Sequence, residues 1–261
     1  MHLLKILKSF YKSSILSELE YRSNFLINAV VGLAWLLSAI GGVSVFYFYT
    51  DHLGGWVWEE ALIVLGLFAV VMGFIDSCLR PNIREIVEMI RTGTLDFVLL
   101  KPINSQFHAS LRHFVVWKLF DVVSGIGLII FAYIQLGKTP SLIELLTFGA
   151  MVITALIIVY SLLILIVTTS FWFVDVKNMV EFIYILFQAG RFPITVYPQP
   201  VRFILTFVIP VAFITTIPAE AILGQLKVTF FILSFILSSS LLLLSTFIWK
   251  RALRQYTSAS S

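Results

Sequence analysis

The segment 132–139, with the sequence AYIQLGKT, contains residue types that bind phosphate in nucleotide-binding proteins. In a phosphate-binding loop, glycines expose backbone N–H groups to the phosphate, and a lysine and a hydroxyl follow where a helix begins. Here Ala132 stands in place of the first glycine, the segment ends a long apolar run, and Pro140 follows at a position typical of a helix start. We therefore expect the segment not to bind a nucleotide.

The histidines and the cysteine form no recognisable catalytic or metal-binding motif. Cys78 is the single cysteine, which excludes an intrachain disulfide and a cysteine-based metal site. The histidines are dispersed, and no H-E-x-x-H or G-x-S-x-G pattern occurs. His108 and His113 can share a metal only if their segment folds back, and a solvated loop histidine is the commoner case. We expect the chain to be no enzyme by itself, with no catalytic residue, metal or cofactor of its own.

The composition is that of an integral membrane protein. Of the 261 residues, 59% are hydrophobic and 12% are charged, whereas soluble proteins carry roughly 25% charged residues. The formal net charge is +4, and the basic residues are scattered along the chain. Scattered basic residues are typical of cytoplasmic loops, so we expect the lipid bilayer as a partner and no nucleic acid.

Six apolar runs are long enough to cross a bilayer as helices, which takes about 20 residues. They cover residues 24–49, 57–78, 114–135, 142–173, 178–197 and 228–249. A seventh stretch, 201–217, contains Pro210 and ends at Pro218, so we expect it to re-enter the membrane without crossing it. The sequence predicts an all-α integral membrane protein with a single transmembrane domain over residues 1–261 and outer re-entrant half-helices at 198–227, before the last span.

The basic residues orient the six spans. An even number of spans puts both termini on one side, and most of the 18 lysines and arginines then fall on that side. The positive-inside rule makes that side cytoplasmic. We expect a multi-pass protein of the cell (plasma) membrane with both termini in the cytoplasm. The basic residues predicted to lie outside are Lys138, Arg191, Arg202 and Lys227.

Residues 1–23 precede the first span and have two distinct faces. Leu3 and Leu7 recur at helical spacing, whereas Lys5 and Lys8 fall on the other side. This pattern is typical of an amphipathic helix that lies in the membrane interface. We expect such a helix on the cytoplasmic leaflet.

Residues 79–113 form the longest polar stretch, on the predicted cytoplasmic side. Pro81 can begin a helix that ends near Gly93, with an apolar stripe on one face and charges on the other. A second short element then runs from a cap at Thr94 to a stop at Pro102. We expect a docking element for a cytoplasmic partner, and the alternative is a hairpin lying on lipid. The candidate docking residues are Ile83, Arg84, Ile86, Val87, Ile90, Arg91, Gly93, Leu95, Asp96 and Leu99.

Residues 188–224 are apolar but repeatedly broken by proline and glycine, on the predicted outer side. A break frees backbone groups that need partners, so broken helices persist where protein or a water-filled cavity covers them, often along a substrate path. The charged residues here either line or seal such a path, or serve as interfacial anchors and local ion pairs. The candidate residues of this outer region are Arg191, Pro193, Pro198, Arg202, Pro210, Pro218 and Glu220.

Two stretches carry a resemblance to a known family. Residues 91–102, RTGTLDFVLLKP, resemble the G-x-L-D-x-x-L-L-x-P signature in the first cytoplasmic loop of ABC type-2 exporter permeases, specifically the small bacterial six-span permeases that pair with a separate ATPase. The prolines of residues 191–224 are similar to those of the family's outer segment before the last span. The residues that match the inner signature are Gly93, Leu95, Asp96, Leu99, Leu100 and Pro102.

The resemblance implies a function for both regions. The segment 79–113 would contain the coupling helix that inserts into a groove on an ABC ATPase subunit, and the N-terminal helix would rest beside it. A second copy of this chain or a related permease would complete a central path by dimerisation. ATP and Mg would bind in the partner ATPase, and the broken outer helices would form an exit gate.

Two other classes of membrane protein remain as alternatives. A secondary transporter usually presents intramembrane acids or cation-binding polar groups in repeated halves, and neither is evident here. A membrane assembly factor without transport activity would use the same inner segment for docking. ATPase activity that is stimulated in the reconstituted complex separates the permease from both.

Overall fold

The computed structural model describes residues 11, 14, 15, 22–173 and 176–256, and this part folds almost entirely into helices. Five of the described helices are long and apolar enough to cross a membrane, and a bent pair of helices brings the number to six if it counts as one span. The predicted all-α membrane class is therefore confirmed.

Eleven α-helices lie within the described ranges. In chain order they are α1 (Arg22–Tyr47), α2 (Trp58–Phe74), α3 (Arg80–Thr92), α4 (Asp96–Leu99), α5 (Ser105–Ser110), α6 (Leu119–Gln135), α7 (Leu142–Thr168), α8 (Lys177–Phe187), α9 (Gln199–Phe203), α10 (Thr216–Ile222) and α11 (Val228–Leu253). Two π-helical turns, at Ile75–Leu79 and Ile204–Val208, follow α2 and α9. Short 3₁₀ turns occur at Val116–Lys118, Thr169–Phe171, Gln188–Arg191, Ile194–Val196 and Val211–Phe213.

The helix of the second predicted span continues beyond residue 78. Helices α2 and α3 and the π turn between them form one helix of 35 residues, Trp58–Thr92. At 1.5 Å per residue this helix is about 52 Å long, which exceeds the ~30 Å hydrocarbon layer. The helix does not break near residue 78, because a π turn precedes Pro81, whose missing N–H would otherwise interrupt the helix. The span therefore continues directly into the predicted cytoplasmic segment.

Helices α2 and α6 touch through their backbones. A Cβ atom added at Gly66 would lie 2.8 Å from the carbonyl oxygen of Gly125, and one added at Gly125 would lie 2.6 Å from that of Gly66. Gly73 is equally close to Val122, with 2.9 Å from the added Cβ to the backbone nitrogen. Small residues permit this close approach, which is the usual way in which helices associate in lipid.

Helix α1 lies at the edge of the fold. Only 6% of its apolar window is buried inside the chain, compared with 72% for the 35-residue helix. The exposed side chains of α1 are apolar, as at Val30, Trp35 and Leu37. They therefore face lipid or another membrane subunit.

The fifth predicted span is shorter than residues 178–197. Its α-helix, α8, covers Lys177–Phe187, and the chain tightens into a 3₁₀ turn at Gln188–Arg191. Gly190 and Pro193 explain this early end, because glycine weakens a helix and proline cannot continue it. The segment is not among the five helices that are long enough to span.

The predicted break in the outer segment, residues 198–227, is confirmed. The helical stretches Gln199–Val208 and Val211–Ile222 meet at an angle of 70°, with Pro210 at the bend. Much of the first stretch is exposed, whereas nearly all of the second is buried. The second half-helix therefore belongs to the core, where it packs on α7 and α2.

Most of the predicted N-terminal interfacial helix lies outside the described residues. Within it, Tyr11, Ser14 and Ile15 are helical. The ring of Tyr11 lies 4.7 Å from the ring of Phe114, centroid to centroid. This contact places Tyr11 beside the end of the segment 79–113.

The backbone contact between α2 and α6 yields a test. We expect Gly125→Ala to lower the midpoint of thermal unfolding in detergent, because overpacking costs about 1–3 kcal/mol. Gly127→Ala is the matched control, since a Cβ atom there meets nothing within 4 Å. Equal midpoints for the two variants would show that the contact is not tight.

Candidate functional site

The segment 79–113 is a packed structure rather than a free loop, and we call it the inner cap after its predicted cytoplasmic side. It contains α3, α4 and α5, and its polar residues Gln106, His108 and Ser110 are buried. Gln106 Nε2 donates a hydrogen bond to the hydroxyl of Tyr160 on α7, 3.3 Å away. The cap is thus attached to the membrane helices by side chains as well as by its two ends.

The apolar stripe of the cap packs against the core of the chain itself. Ile83, Ile86, Val87 and Leu95 are all buried in the core of the chain itself, and Ile90 is half-buried. The prediction that this stripe offers side chains to a partner is wrong, because its partner is the rest of this chain. Helical periodicity shows that one face is apolar, but not which surface covers it.

The exposed part of the cap is its far end. Phe97 is 69% exposed and Leu100 is 80% exposed, and Leu99 lies beside them. We call these three residues the cap tip. Gly93 begins the turn before it, at φ 75°, and the half-buried Asp96 opens the short helix α4. Arg84 and Arg91 are exposed on α3.

Asn82 fixes the end of the cap to its beginning. Its Nδ2 donates to the carbonyl oxygens of Cys78 and His113, at 2.6 and 2.7 Å, and its Oδ1 accepts from the N–H of His113 at 2.8 Å. The N–H of Val115 also donates to the carbonyl of Ser77, at 2.9 Å. The chain that leads into α6 is therefore held on the 35-residue helix.

Ion pairs link the cap to α8. Glu181 accepts from Arg80 and from Arg84, each at 2.7 Å. The guanidinium of Arg80 also lies over the ring of Tyr184, 4.5 Å from its centroid, and 3.3 Å from Asp76. Helix α8 is therefore tied to α3 by charge as well as by packing.

The side chains of His108 and His113 lie against other residues of the cap. Lys101 Nζ lies 3.2 Å from His108 Nε2, where a metal would need a lone pair. Burial lowers the pKa of His108, and the charges of Lys101 and Arg112 lower it further. His113 instead lies against Glu85, 2.5 Å from Nε2 to Oε2. Among the described residues, no group of three or more possible ligands is arranged for a metal.

A cavity of about 420 Å³ lies between α1, α2, the start of α6 and the turn after α8. Its inner end is charged, and those charges are paired. Lys118 lies 3.5 Å from Asp76 and 3.2 Å from Asp121, while Arg80 also contacts Asp76. The wall beyond them is largely apolar, and the cavity is partly open to its surroundings.

Arg191 lies deep in this cavity. Its guanidinium carbon is 5.3 Å from the ring centroid of Phe68. Phe68 is about 15 Å along the 35-residue helix from its first residue, Trp58. Sequence analysis predicts that Arg191 either lines or seals a path on the outer side or serves as an interfacial anchor. Arg191 lines this cavity, and its role in such a path stays a prediction.

The outer segment is held by its own polar groups. Arg202 Nη2 donates to the carbonyl of Thr195 at 2.7 Å, and the hydroxyl of Tyr133 donates to the carbonyl of Ile222 at 3.2 Å. These bonds satisfy backbone groups that the broken helices leave free. Arg202 thus stabilises the local backbone at Thr195. Glu220 is half-buried on α10.

The prolines of the outer segment mark its breaks. Pro193 precedes a 3₁₀ turn, Pro198 precedes α9, and Pro218 lies within the first turn of α10, where an absent N–H costs little. Their role in an exit gate stays a prediction. Gln225 at the end of this segment also donates to Glu60 at the start of α2, 2.9 Å away.

Comparison with protein families decides what kind of membrane protein this is. The family described as ABC-2 family transporter protein matches residues 33–260, which include the inner cap, most of the cavity wall and the outer segment. The chain belongs to this family. No curated protein and no solved structure matches the chain.

Membership assigns a general role to the chain. An ABC-2 family transporter protein is a membrane permease component of an ABC transporter, and it is not itself the ATPase. The family implies ATPase partner subunits in general. The predicted family and the permease class are therefore confirmed.

Sequence reasoning missed Asn82 and Glu181, which organise the inner half of this ABC-2 protein. Nothing in the sequence points to Asn82 itself: Pro81 removes the N–H that would bond to the carbonyl of Ser77, but the donor found there is the N–H of Val115. The second gave no signal, since its partners lie about 100 residues earlier in the sequence.

The Asn82 contacts predict a local effect on exchange. We expect Asn82→Ala to speed hydrogen exchange at the amides of His113 and Val115, because a lost buried hydrogen bond costs about 1–3 kcal/mol. Asn104→Ala is the control, since Asn104 caps α5 by accepting from the N–H of Phe107. It should speed exchange at Phe107 alone. Unchanged exchange at His113 in Asn82→Ala would contradict this assignment.

Two glutamates allow a matched test of the link to α8. Glu181 and Glu88 have the same side-chain exposure, 42%, and each pairs with arginine. Glu181 joins two distant segments, whereas Glu88 pairs with Arg91 within one helix, where exposed pairs contribute little. We expect Glu181→Ala to lower the midpoint of thermal unfolding clearly more than Glu88→Ala does. Equal shifts would mean that the long-range pairs contribute no stability.

Proposed function

We propose that this chain is the membrane-spanning permease subunit of an ATP-driven exporter, and that it works as a dimer with separate ATPase subunits. The observation that carries the proposal is the cap tip, an exposed apolar surface on a cap that is otherwise packed and charged. The 35-residue helix connects the cap directly to the cavity. This arrangement suits a subunit that receives a movement at one end and applies it at the other.

The cap tip is the proposed contact with the ATPase. Phe97, Leu99 and Leu100 are exposed, and they follow the Gly93 turn that matches the coupling signature of the family. Aromatic and aliphatic side chains that fill a pocket supply most of the energy of a protein interface. The exposed Arg84 and Arg91 would lie at its rim. Ile83, Ile86, Val87 and Leu95 support the tip from below and do not contact the partner.

The movement has a continuous route from the tip to the cavity. Helix α3 carries Arg80, which lies at the inner end of the cavity, and Glu181 ties α3 to α8. The turn after α8 carries Arg191 on the opposite wall. A shift of the cap would therefore displace two walls of the cavity together. Closure of the ATPases around ATP and Mg supplies that shift, and this chain binds neither.

The exposed faces of α1 and α8 support a second permease in the membrane. Met179, Phe182 and Ile185 form an exposed apolar row on α8, and α1 is exposed along most of its length. An identical chain or a related permease would cover these rows and close the cavity into a path. The outer segment would then act as the exit gate, in the plasma membrane with both termini cytoplasmic.

The secondary transporter and the assembly factor differ from this proposal at one point. Neither of them needs an ATP-driven partner at the cap tip. The purified assembly therefore separates the three classes, because only the permease recovers an ABC ATPase whose activity the chain stimulates. Family membership favours the permease over both.

The cap tip gives the decisive variant. We expect purification of the tagged chain in mild detergent to recover an ABC ATPase, and Leu100→Glu to weaken that binding at least about tenfold. The chain itself should fold normally, because Leu100 is exposed. Mass spectrometry of the recovered complex measures both outcomes.

Phe48→Glu is the control for a new charge at an exposed apolar position, since Phe48 is equally exposed at the other end of the molecule. It should retain the ATPase. Two outcomes would contradict the proposal: undiminished ATPase binding by Leu100→Glu, or no ATPase with the unaltered chain in a preparation that keeps other membrane complexes intact.

A further inference from the structure

Arg191 is the charge in the cavity that has no counter-charge. None of the ion pairs among the described residues includes it. Its Nε is buried and has no hydrogen-bond partner in the described part of the chain. The face of Phe68 attracts the cation weakly, but it supplies no negative charge. A cation at this depth is costly, and such residues usually serve a function.

The carboxylates of the cavity do not serve Arg191. Asp76 contacts Arg80 and Lys118, and Asp121 contacts Lys118, all at the inner end. Asp76 lies eight residues after Phe68, which is about 12 Å along the helix axis. The deep part of the cavity therefore keeps a net positive charge.

The surroundings of Arg191 fit a ligand with two parts. Gln188 lies one turn before it on the cavity wall, and its buried Oε1 has no partner among the described residues. Its amide can donate to an anion beside the guanidinium. Trp35, Leu36 and Phe68 form the apolar wall next to these groups. The volume, about 420 Å³, lies in the range of small-molecule sites, roughly 300–1,000 Å³.

We propose that this cavity binds an amphiphilic anion, whose phosphate or carboxylate contacts Arg191 and whose alkyl chain lies along Trp35, Leu36 and Phe68. The exposed apolar side chains of Val31 and Trp35 edge the cavity, so the ligand enters sideways from the membrane. That the ligand is the transported cargo rests on the proposed function. Binding itself does not.

The test uses the full chain, purified in an uncharged maltoside detergent without an ATPase. The probe is decyl phosphate that carries a photoreactive diazirine, and mass spectrometry locates the labelled peptides. We expect labelling around Trp35 and Phe68, with competition by unlabelled decyl phosphate. Inorganic phosphate and decyltrimethylammonium should compete at least about tenfold less well, because each lacks one half of the ligand.

Variants assign the two halves of the site. Arg191→Gln should weaken binding about tenfold, and Arg191→Lys should retain most of it. Lys138→Gln is the control for net charge, because Lys138 is exposed in the loop after α6. Trp35→Ala should also weaken binding, whereas Leu37→Ala should not. These two side chains are 64% and 65% exposed on the same helix, and only Trp35 lines the cavity.

The outcomes that overturn the proposal are specific. If Arg191→Gln binds the probe with full affinity, the anionic group does not contact Arg191. If inorganic phosphate competes as well as decyl phosphate, the apolar wall does not contribute to binding. If Arg191→Gln does not fold, the Trp35 and Leu37 pair still decides, since both positions are exposed. Failure here leaves ATPase binding at the cap tip unaffected, so the two proposals fail separately.

Discussion

The carbonyl of Ser77 lacks its ordinary helical donor, because the residue four positions later is Pro81. Two other hydrogen bonds compensate for the missing donor. The helix widens into a π turn, in which the N–H of Arg80 reaches the carbonyl of Ile75, and Ser77 accepts instead from the N–H of Val115. The free carbonyl of Ser77 in the 35-residue helix thus holds the chain that leads into α6. The arrangement of the cap and the start of α6 depends on this bond.

This attachment makes α2, α3 and the start of α6 one rigid body. Val115 is held at the π turn, and about 16 Å farther along the helix axis α2 and α6 touch at Gly66 and Gly125. Two contacts so far apart prevent the helices from pivoting about either one. Relative motion is therefore expected at the sparsely packed α1, whereas the ion pairs of Glu181 let α8 follow this body.

The sequence predicts those features that depend on neighbouring residues. Composition and the apolar runs indicate the membrane class, Gly93 indicates the end of α3, and Pro210 indicates the bend of the outer segment. Features that depend on distant partners escaped prediction. The apolar stripe at Ile86 has the same spacing whether it contacts another protein or its own core, and the depth of Arg191 depends on where α8 stops.

The fixed charge of Arg191 has an electrical consequence for the bilayer. A positive side chain in this cavity, beside Phe68, would create a repulsive potential for sodium, potassium and hydrated protons, as arginine does in pores that exclude cations. A cavity that opens toward either face would then remain a poor conductor of these ions. The uncompensated charge of Arg191 would thereby limit the leak of cations that would dissipate the membrane potential.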